Sequence, residues 1–301
     1  MPRVRGRFAP SPTGPLHFGS LVAAVASYCD ALTRDGEWLV RIEDVDEPRT
    51  RRGAEDAVLQ TLRTYGFAWD GPVERQSQRT AHYEAALATL RAKGFAYPCA
   101  CTRRDLEAAP VGASGERVYA GTCRNGIAKT ARASHSWRFR VEDATVSFVD
   151  RLQGFQQQDL ATDVGDFVLR RSDRLFAYQL AVVVDDALQG ITDVVRGADL
   201  LSSTARQIFL QLALGFAQPS YLHIPIAIDR EGAKLSKQTR ARALPDDPLP
   251  ALDAAWRFLQ QEPAPIAPRT TAEFWRHALS SWQSSRLPPV AMLPAPSAFA
   301  T

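Results

Sequence analysis

Residues Arg7–Ser20, "RFAPSPTGPLHFGS", decide how this chain is read. They join the alternating segment Val4–Phe8 ("VRGRF") to the apolar run "LVAAVASYCDAL" that begins at Leu21. The alternation predicts a strand, and the apolar run predicts a helix that ends near Gly36. Pro10, Pro12 and Pro15 fix the backbone between them, so the loop is set before any ligand arrives. Ligands of open α/β sheets bind at the carboxyl ends of strands. A helix that starts there offers free N–H groups and a dipole that favour phosphate. Gly19 leaves room for a flat base to approach the backbone. His17 can donate to a phosphate oxygen. A lone His-x-Gly arises about once by chance in a chain of this size, so the pair needs support from elsewhere.

The pattern continues outward. "WLVRIED" (Trp38–Asp44) reads as a second strand. Residues 53–66 and 79–94 read as amphipathic helices closed by Gly66 and Gly94. Strand, helix, strand and further helix open a parallel α/β sheet. From about Cys99 to Asp173 the chain turns polar and short-stranded, as an insertion would. The α/β rhythm returns with "FAYQLAVVVDD", the strand "ITDVVRG", the helix "SSTARQIFLQLAL" and a strand over Tyr221–Asp229. Beyond Gln238 the chain is proline-rich, with two short helical patterns, "ALDAAWRFLQQ" and "TAEFWRHALSSW". The expected division is residues 1–98 and 174–238 as two halves of a catalytic domain, 99–173 as the insertion, and 239–301 as a short helical buttress. There are no internal repeats.

Composition narrows the class. The chain has 301 residues, 45% hydrophobic and 23% charged, with a net charge of +3. Its apolar runs are too short to span a bilayer. The basic N-terminus leads into no signal-peptide core, so the expectation is a cytoplasmic protein. Only four of the 36 basic residues are lysine, yet two of these, Lys234 and Lys237, fall in "GAKLSKQ". A chain that otherwise prefers arginine keeps a compact, mobile ammonium there. Cys29 sits on the apolar side of the first helix and reads as core. Cys99, Cys101 and Cys123 cluster, and three soft thiols in a cytosolic protein read as a zinc site before they read as disulfides. From the residues alone, a fourth ligand and a purely structural thiol cluster both stay open; the nearest histidine is His135.

"PSPTGPLHFGS" resembles the HIGH signature of class I aminoacyl-tRNA synthetases, and "KLSKQ" resembles their mobile lysine loop. With "RIEDVDEPR" (Arg41–Arg49), the segment is similar to the glutamyl-tRNA synthetase group in particular. The resemblance spans about Arg3 to Gln238. It departs at Ser20, where histidine is common, and at Gln238, where serine is common. It implies a Rossmann-like parallel sheet carrying an inserted zinc-containing subdomain. It implies ATP, with Mg²⁺, held by Pro10, His17, Gly19, Ser20 and Lys237, with His17, Gly19, Lys234 and Lys237 catalytic. It implies a glutamate pocket of Arg7, Phe8, Ala9, Pro10, Ser11, Glu43, Tyr178 and Arg196. The charges fit: arginine forks suit two carboxylates and Glu43 suits the ammonium.

Glutamyl-tRNA synthetases carry a large C-terminal region that reads the anticodon. The expectation here is that no such region follows the lysine loop. That combination resembles the short paralogues of the group, which activate glutamate without tRNA and attach it to the queuosine base in the anticodon of tRNA(Asp). The same resemblance makes Tyr119 a fourth zinc ligand beside Cys99, Cys101 and Cys123. It implies a structural zinc and a protein that works as a monomer. Arg49, Arg51 and Arg52 form a basic run that would hold RNA phosphates, or equally a solvated helix start. Three other readings remain: a shortened synthetase that charges a tRNA 3′ end, a non-catalytic RNA-binding paralogue, and a cofactor adenylyltransferase of the same motif.

Overall fold

The computed structural model describes residues 3–112, 115, 117–127, 135–235 and 242–300. Three strands with their crossover helices form one half of a parallel sheet. Strand β1 (Arg5–Phe8) feeds helix α1 (Phe18–Leu32) and pairs in parallel with β2 (Glu37–Ile42). Helix α2 (Ala54–Thr64) then leads to the short β3 (Glu74–Arg75), parallel to β2. Helix α1 starts at Phe18, three residues before the apolar run. His17 is its extended N-cap, so the motif itself forms the first turn. Alanine and leucine fill α1, and most of its residues are buried, because it lies between the sheet and the C-terminal helices.

Helix α3 (Thr80–Ala92) leads out of this half into an antiparallel region. There β4 (Ala96–Cys99), β5 (Ser136–Phe139) and later β8 (Val168–Arg170) form a sheet in the order β4-β5-β8. Strands β6 (Thr145–Asp150) and β7 (Gly154–Asp159) make a hairpin, followed by the single turn α4 (Leu160–Asp163). The hairpin turn is clamped to the parallel sheet. Arg151 Nη2 lies 2.6 Å from Asp30 Oδ1 on α1, and the Arg151 N–H donates to the Tyr221 carbonyl at 2.9 Å.

The second half of the parallel sheet starts with α5 (Tyr178–Leu188). It continues with β9 (Asp193–Gly197), α6 (Leu201–Leu214) and β10 (Ser220–Ile224), the two strands pairing in parallel. The halves meet where β1 runs beside β9; the Thr192 N–H donates to the Arg5 carbonyl at 3.0 Å. The expected strand over Tyr221–Asp229 is two strands. Pro225 has no N–H to continue a ladder, so β10 ends before it and β11 (Ile226–Ile228) follows. Helices α7 (Pro248–Phe258) and α8 (Thr271–Ser281) cover α1. The C-terminal part is not purely helical, because β12 (Met292–Pro294) pairs in parallel with β11. One aromatic cluster ties it to the first half: the Trp275 ring lies 4.7 Å from both Tyr28 and Phe67, and its Nε1 donates to the Tyr65 carbonyl at 2.9 Å.

Candidate active site

The carboxyl ends of β1, β2 and β9 open into a cleft of about 1120 Å³. Its lining includes Arg7, Phe8, Ala9, Pro10, Ser11, His17, Gly19, Ser20, Glu43, Tyr178, Arg196 and Lys234. The fold thus brings together residues that lie far apart in the chain. Lys237 lies outside the described residues. The proline-rich loop is pinned at two points: the Glu43 N–H donates to the Pro10 carbonyl and the Arg51 N–H to the Pro12 carbonyl, both at 3.0 Å. Arg49 and Arg51 line the same cleft, Arg49 with its guanidinium 3.1 Å from Asp46; Arg52 is exposed. Lys234 is ion-paired with Asp199, another wall residue.

Glycine at position 19 has a geometric reason. A Cβ there would come within 3.3 Å of His17 Cε1 and 3.7 Å of the Leu235 carbonyl. Its absence lets the imidazole lie against the first turn of α1, where the helix N–H groups point into the cleft.

Beneath the cleft floor lies a buried charge network that the sequence reading missed. Asp186 on α5 receives Arg7 Nε at 3.2 Å and Nη2 at 3.4 Å. Arg41 on β2, wholly buried, lies 2.8 Å from Asp186 and 3.2 Å from Glu43. Asp185 is buried beside them and accepts from Gln76, Arg79 and the Tyr83 hydroxyl. Burial disfavours ionised Asp186, but Arg7 and Arg41 outweigh it and hold the carboxyl below the usual carboxylate range. For Glu43 the balance runs the other way: burial raises its pKa against the pull of Arg41 and Arg7. Burial also raises the Tyr178 phenol, so it stays protonated and can donate. Two adjacent acids inside "LAVVVDDAL" were the available signal, since unpaired carboxylates are almost never fully buried.

Arg196, on β9, is held by three acceptors. Its Nε donates to His223 Nε2 at 3.0 Å, and its Nη2 donates to Thr204 Oγ1 at 2.9 Å and the Leu200 carbonyl at 3.4 Å. His223 was also missed; a single histidine in the apolar strand "YLHIPIAI" was its only signal.

The thiols of Cys99, Cys101 and Cys123 lie within 4.8 Å of one another. The Tyr119 hydroxyl is 3.3 Å from Cys99 Sγ and 3.4 Å from Cys101 Sγ, and it accepts the Cys123 N–H at 3.0 Å. Zinc–sulfur bonds of about 2.3 Å in a tetrahedron place sulfurs about 3.8 Å apart. The Cys101–Cys123 separation of 3.6 Å is close to this. Burial pushes the Cys101 thiol up to about 11 and raises the Tyr119 phenol further, so a bound cation is what would deprotonate them at neutral pH. The Arg138 guanidinium donates to Cys99 Sγ at 3.3 Å and lies 4.0 Å over the Tyr119 ring, where it would offset the charge of three thiolates. The donor set and spacing fit a metal.

An open parallel sheet, a proline-braced loop running into a helix start, and a cleft lined by arginines, a glutamate and a lysine define the catalytic domain of a class I aminoacyl-tRNA synthetase, a ligase. The chain belongs to the family described as tRNA synthetases class I (E and Q), catalytic domain, whose model matches residues 3–254. It is 52% identical to the Glutamyl-Q tRNA(Asp) synthetase of Aromatoleum aromaticum, over 98% of this chain and 93% of that protein. It is 54% identical to the protein of the same name from Dechloromonas aromatica, over 94% of this chain and 95% of that one. For the Thiobacillus denitrificans protein of that name the identity is 53%, over 97% and 98%. Among solved structures, a glutamate tRNA ligase from Elizabethkingia meningosepticum, in complex with its amino acid, matches with a TM-score of 0.79 at 24% identity. That match covers 96% of this chain and 66% of the ligase, and it establishes the fold.

Proposed function

We propose that this protein activates L-glutamate with ATP in the absence of tRNA and transfers it to the queuosine base in the anticodon of tRNA(Asp). The observation that carries the reading is the similarity to Glutamyl-Q tRNA(Asp) synthetases along nearly their whole length, joined to a cleft that pairs two arginines with one glutamate. Glutamate presents two carboxylates and one ammonium. Arg7 and Arg196 receive the carboxylates, and Glu43 receives the ammonium with Tyr178 and Ser11 beside it. The paired arginines favour a dicarboxylic acid over glutamine.

Activation is attack of the substrate α-carboxylate on the α-phosphate of ATP, with pyrophosphate leaving. The step needs alignment and charge stabilisation rather than a protein nucleophile. His17 and the N-terminus of α1 stabilise the phosphates, Gly19 admits the nucleotide, and Lys234 brings positive charge from the cleft wall; Lys237, outside the described residues, would supply a second ammonium. Mg²⁺ arrives with the ATP. A hydroxyl of the queuosine cyclopentene diol, much like that of a terminal ribose, then attacks the acyl carbon of the glutamyl-adenylate; the ester forms, the acyl–phosphate bond breaks and AMP leaves. Cys99, Cys101, Cys123 and Tyr119 would hold a structural zinc. That zinc would fix the fold of the antiparallel region and take no part in the chemistry.

Labelled glutamate, ATP, Mg²⁺ and the purified protein test this with bulk tRNA from cells that make queuosine and from cells that do not. Label only in the first tRNA is the expected result. Equal label in both would mean charging of a 3′ end, and the base-modification reading would be abandoned.

A further inference from the structure

Behind Arg196 the structure holds a chain of buried polar groups that ends in the β6–β7 hairpin. His223 and Asp150 are 0% and 2% exposed. His223 Nδ1 lies 2.6 Å from Asp150 Oδ2, and its Nε2 receives the Arg196 Nε–H at 3.0 Å. An arginine nitrogen can only donate, so His223 Nε2 must be the acceptor and its one proton sits on Nδ1, facing Asp150. Burial pushes the imidazole below its ordinary pKa, against the pull of Asp150, which keeps the ring neutral. Arg196 thus has Nε committed to His223 and Nη2 to Thr204 and Leu200. Among the described residues no group accepts from Nη1, the nitrogen left for a ligand.

We infer that Asp150 and His223 form a positioning relay that fixes the imidazole tautomer and thereby holds the Arg196 guanidinium at the angle the substrate carboxylate requires. The inference rests on the proposed role of Arg196 as a carboxylate receptor. It also gives the inserted hairpin a part in amino-acid binding through Arg196, because Asp150 is the last residue of β6 and Gln153 Nε2 donates to the His223 carbonyl at 2.9 Å.

The tautomer makes the relay testable by a nearly isosteric change. Asp150 Oδ1 accepts the N–H groups of Leu152 at 3.0 Å and Gln153 at 2.9 Å. In Asp150→Asn the amide oxygen stays on those donors, and the NH₂ replaces Oδ2 opposite His223 Nδ1. The imidazole must then accept at Nδ1 and carry its proton on Nε2, pointing at Arg196 Nε–H. That proton can go to Thr204 Oγ1, 3.1 Å from Nε2, but Arg196 Nε loses its acceptor and the guanidinium is no longer held on that side.

Glutamate-dependent pyrophosphate exchange on the full chain, without tRNA, reads the consequence. Asp150→Asn should raise KM for glutamate about 10- to 100-fold, the loss of one charge-assisted hydrogen bond. It should leave KM for ATP within about twofold and add nothing in an Arg196→Ala background. Full additivity in that background, or a matching rise in KM for ATP, would reduce the pair to a structural role and overturn the relay. An unchanged KM for glutamate in Asp150→Asn, with a raised one in Arg196→Ala, would overturn the relay and leave the pocket intact. An unchanged KM in Arg196→Ala would remove the carboxylate role from Arg196, and the relay's purpose with it. Nitrogen-15 NMR of the histidine rings, with His223 assigned through His223→Gln, decides independently of how Asp150→Asn folds. A wild-type proton on Nδ1 is required, and one on Nε2 overturns the inference.

Discussion

Arg7 commits two of its donors to Asp186 while facing the cleft, so its orientation is set by that partner. Binding a substrate carboxylate would add a second anion to a guanidinium already oriented. Arg7→Ala should therefore raise KM for glutamate about 10- to 100-fold and leave KM for ATP nearly unchanged, measured by pyrophosphate exchange. His17→Ala should act on the other substrate. Its effect belongs in kcat, a loss of about 100-fold, because charge on the phosphates grows in the transition state. His17 and Arg7 were legible in the sequence because a loop motif fixes both. Asp186 and Arg41 were not, because a carboxylate on α5 and a guanidinium on β2 become partners only when the two halves of the sheet close. His223 and Asp150 meet only through the hairpin clamp, so their pairing left no local trace either.

At the scale of elements, α1 explains why the motif precedes an apolar helix: the helix carries His17 at its N-cap and buries most of its length. Gly19→Ala places a Cβ 3.3 Å from His17 Cε1, so the imidazole must move by a few tenths of an ångström. The expected outcome is a drop in the exchange rate of about tenfold, with little change in melting temperature. The antiparallel region makes its own prediction. Protein purified without chelator should carry about one zinc per chain, and Cys101→Ser should lose it. Charging of tRNA should then fall more than tRNA-free exchange, because the thiol cluster lies outside the cleft. Metal analysis beside the two assays checks this. The periodicity of α2 and α3 was legible because each buries one face. The break at Pro225 was visible as a proline. That β11 would take β12 as its partner was not, since a three-residue segment carries almost no periodic signal.

Over the whole molecule, the C-terminal helices hold the catalytic half together through aromatic contacts. Trp275→Ala should cost about 3–5 kcal/mol of unfolding free energy, read from denaturant melts, because it empties the centre of the Tyr28–Phe67–Trp275 cluster. Stability should also depend on pH through His223. Burial lowers its folded-state pKa below the ordinary value of about 6.5, so the unfolded chain binds a proton that the folded chain refuses. The stabilisation is complete above that value and is lost as pH falls through it toward the folded pKa. Glu43, whose pKa is raised, works in the opposite direction, so the comparison must isolate His223. The advantage of wild type over His223→Gln in melting temperature should shrink between about pH 7.5 and about pH 5. The sequence by itself determined the α/β class, the motif loop and the cysteine cluster, because short-range constraints on backbone and ligand chemistry write these locally; the arginine and glutamate candidates follow from the resemblance that those motifs carry. Only the tertiary structure decided which polar groups face each other: Arg7 and Arg41 on Asp186, Arg196 on His223, and His223 on Asp150. Electrostatic partnership depends on distance in space, and the chain separations here, from β1 to α5 and from β6 to β10, are closed by the packing of the sheet.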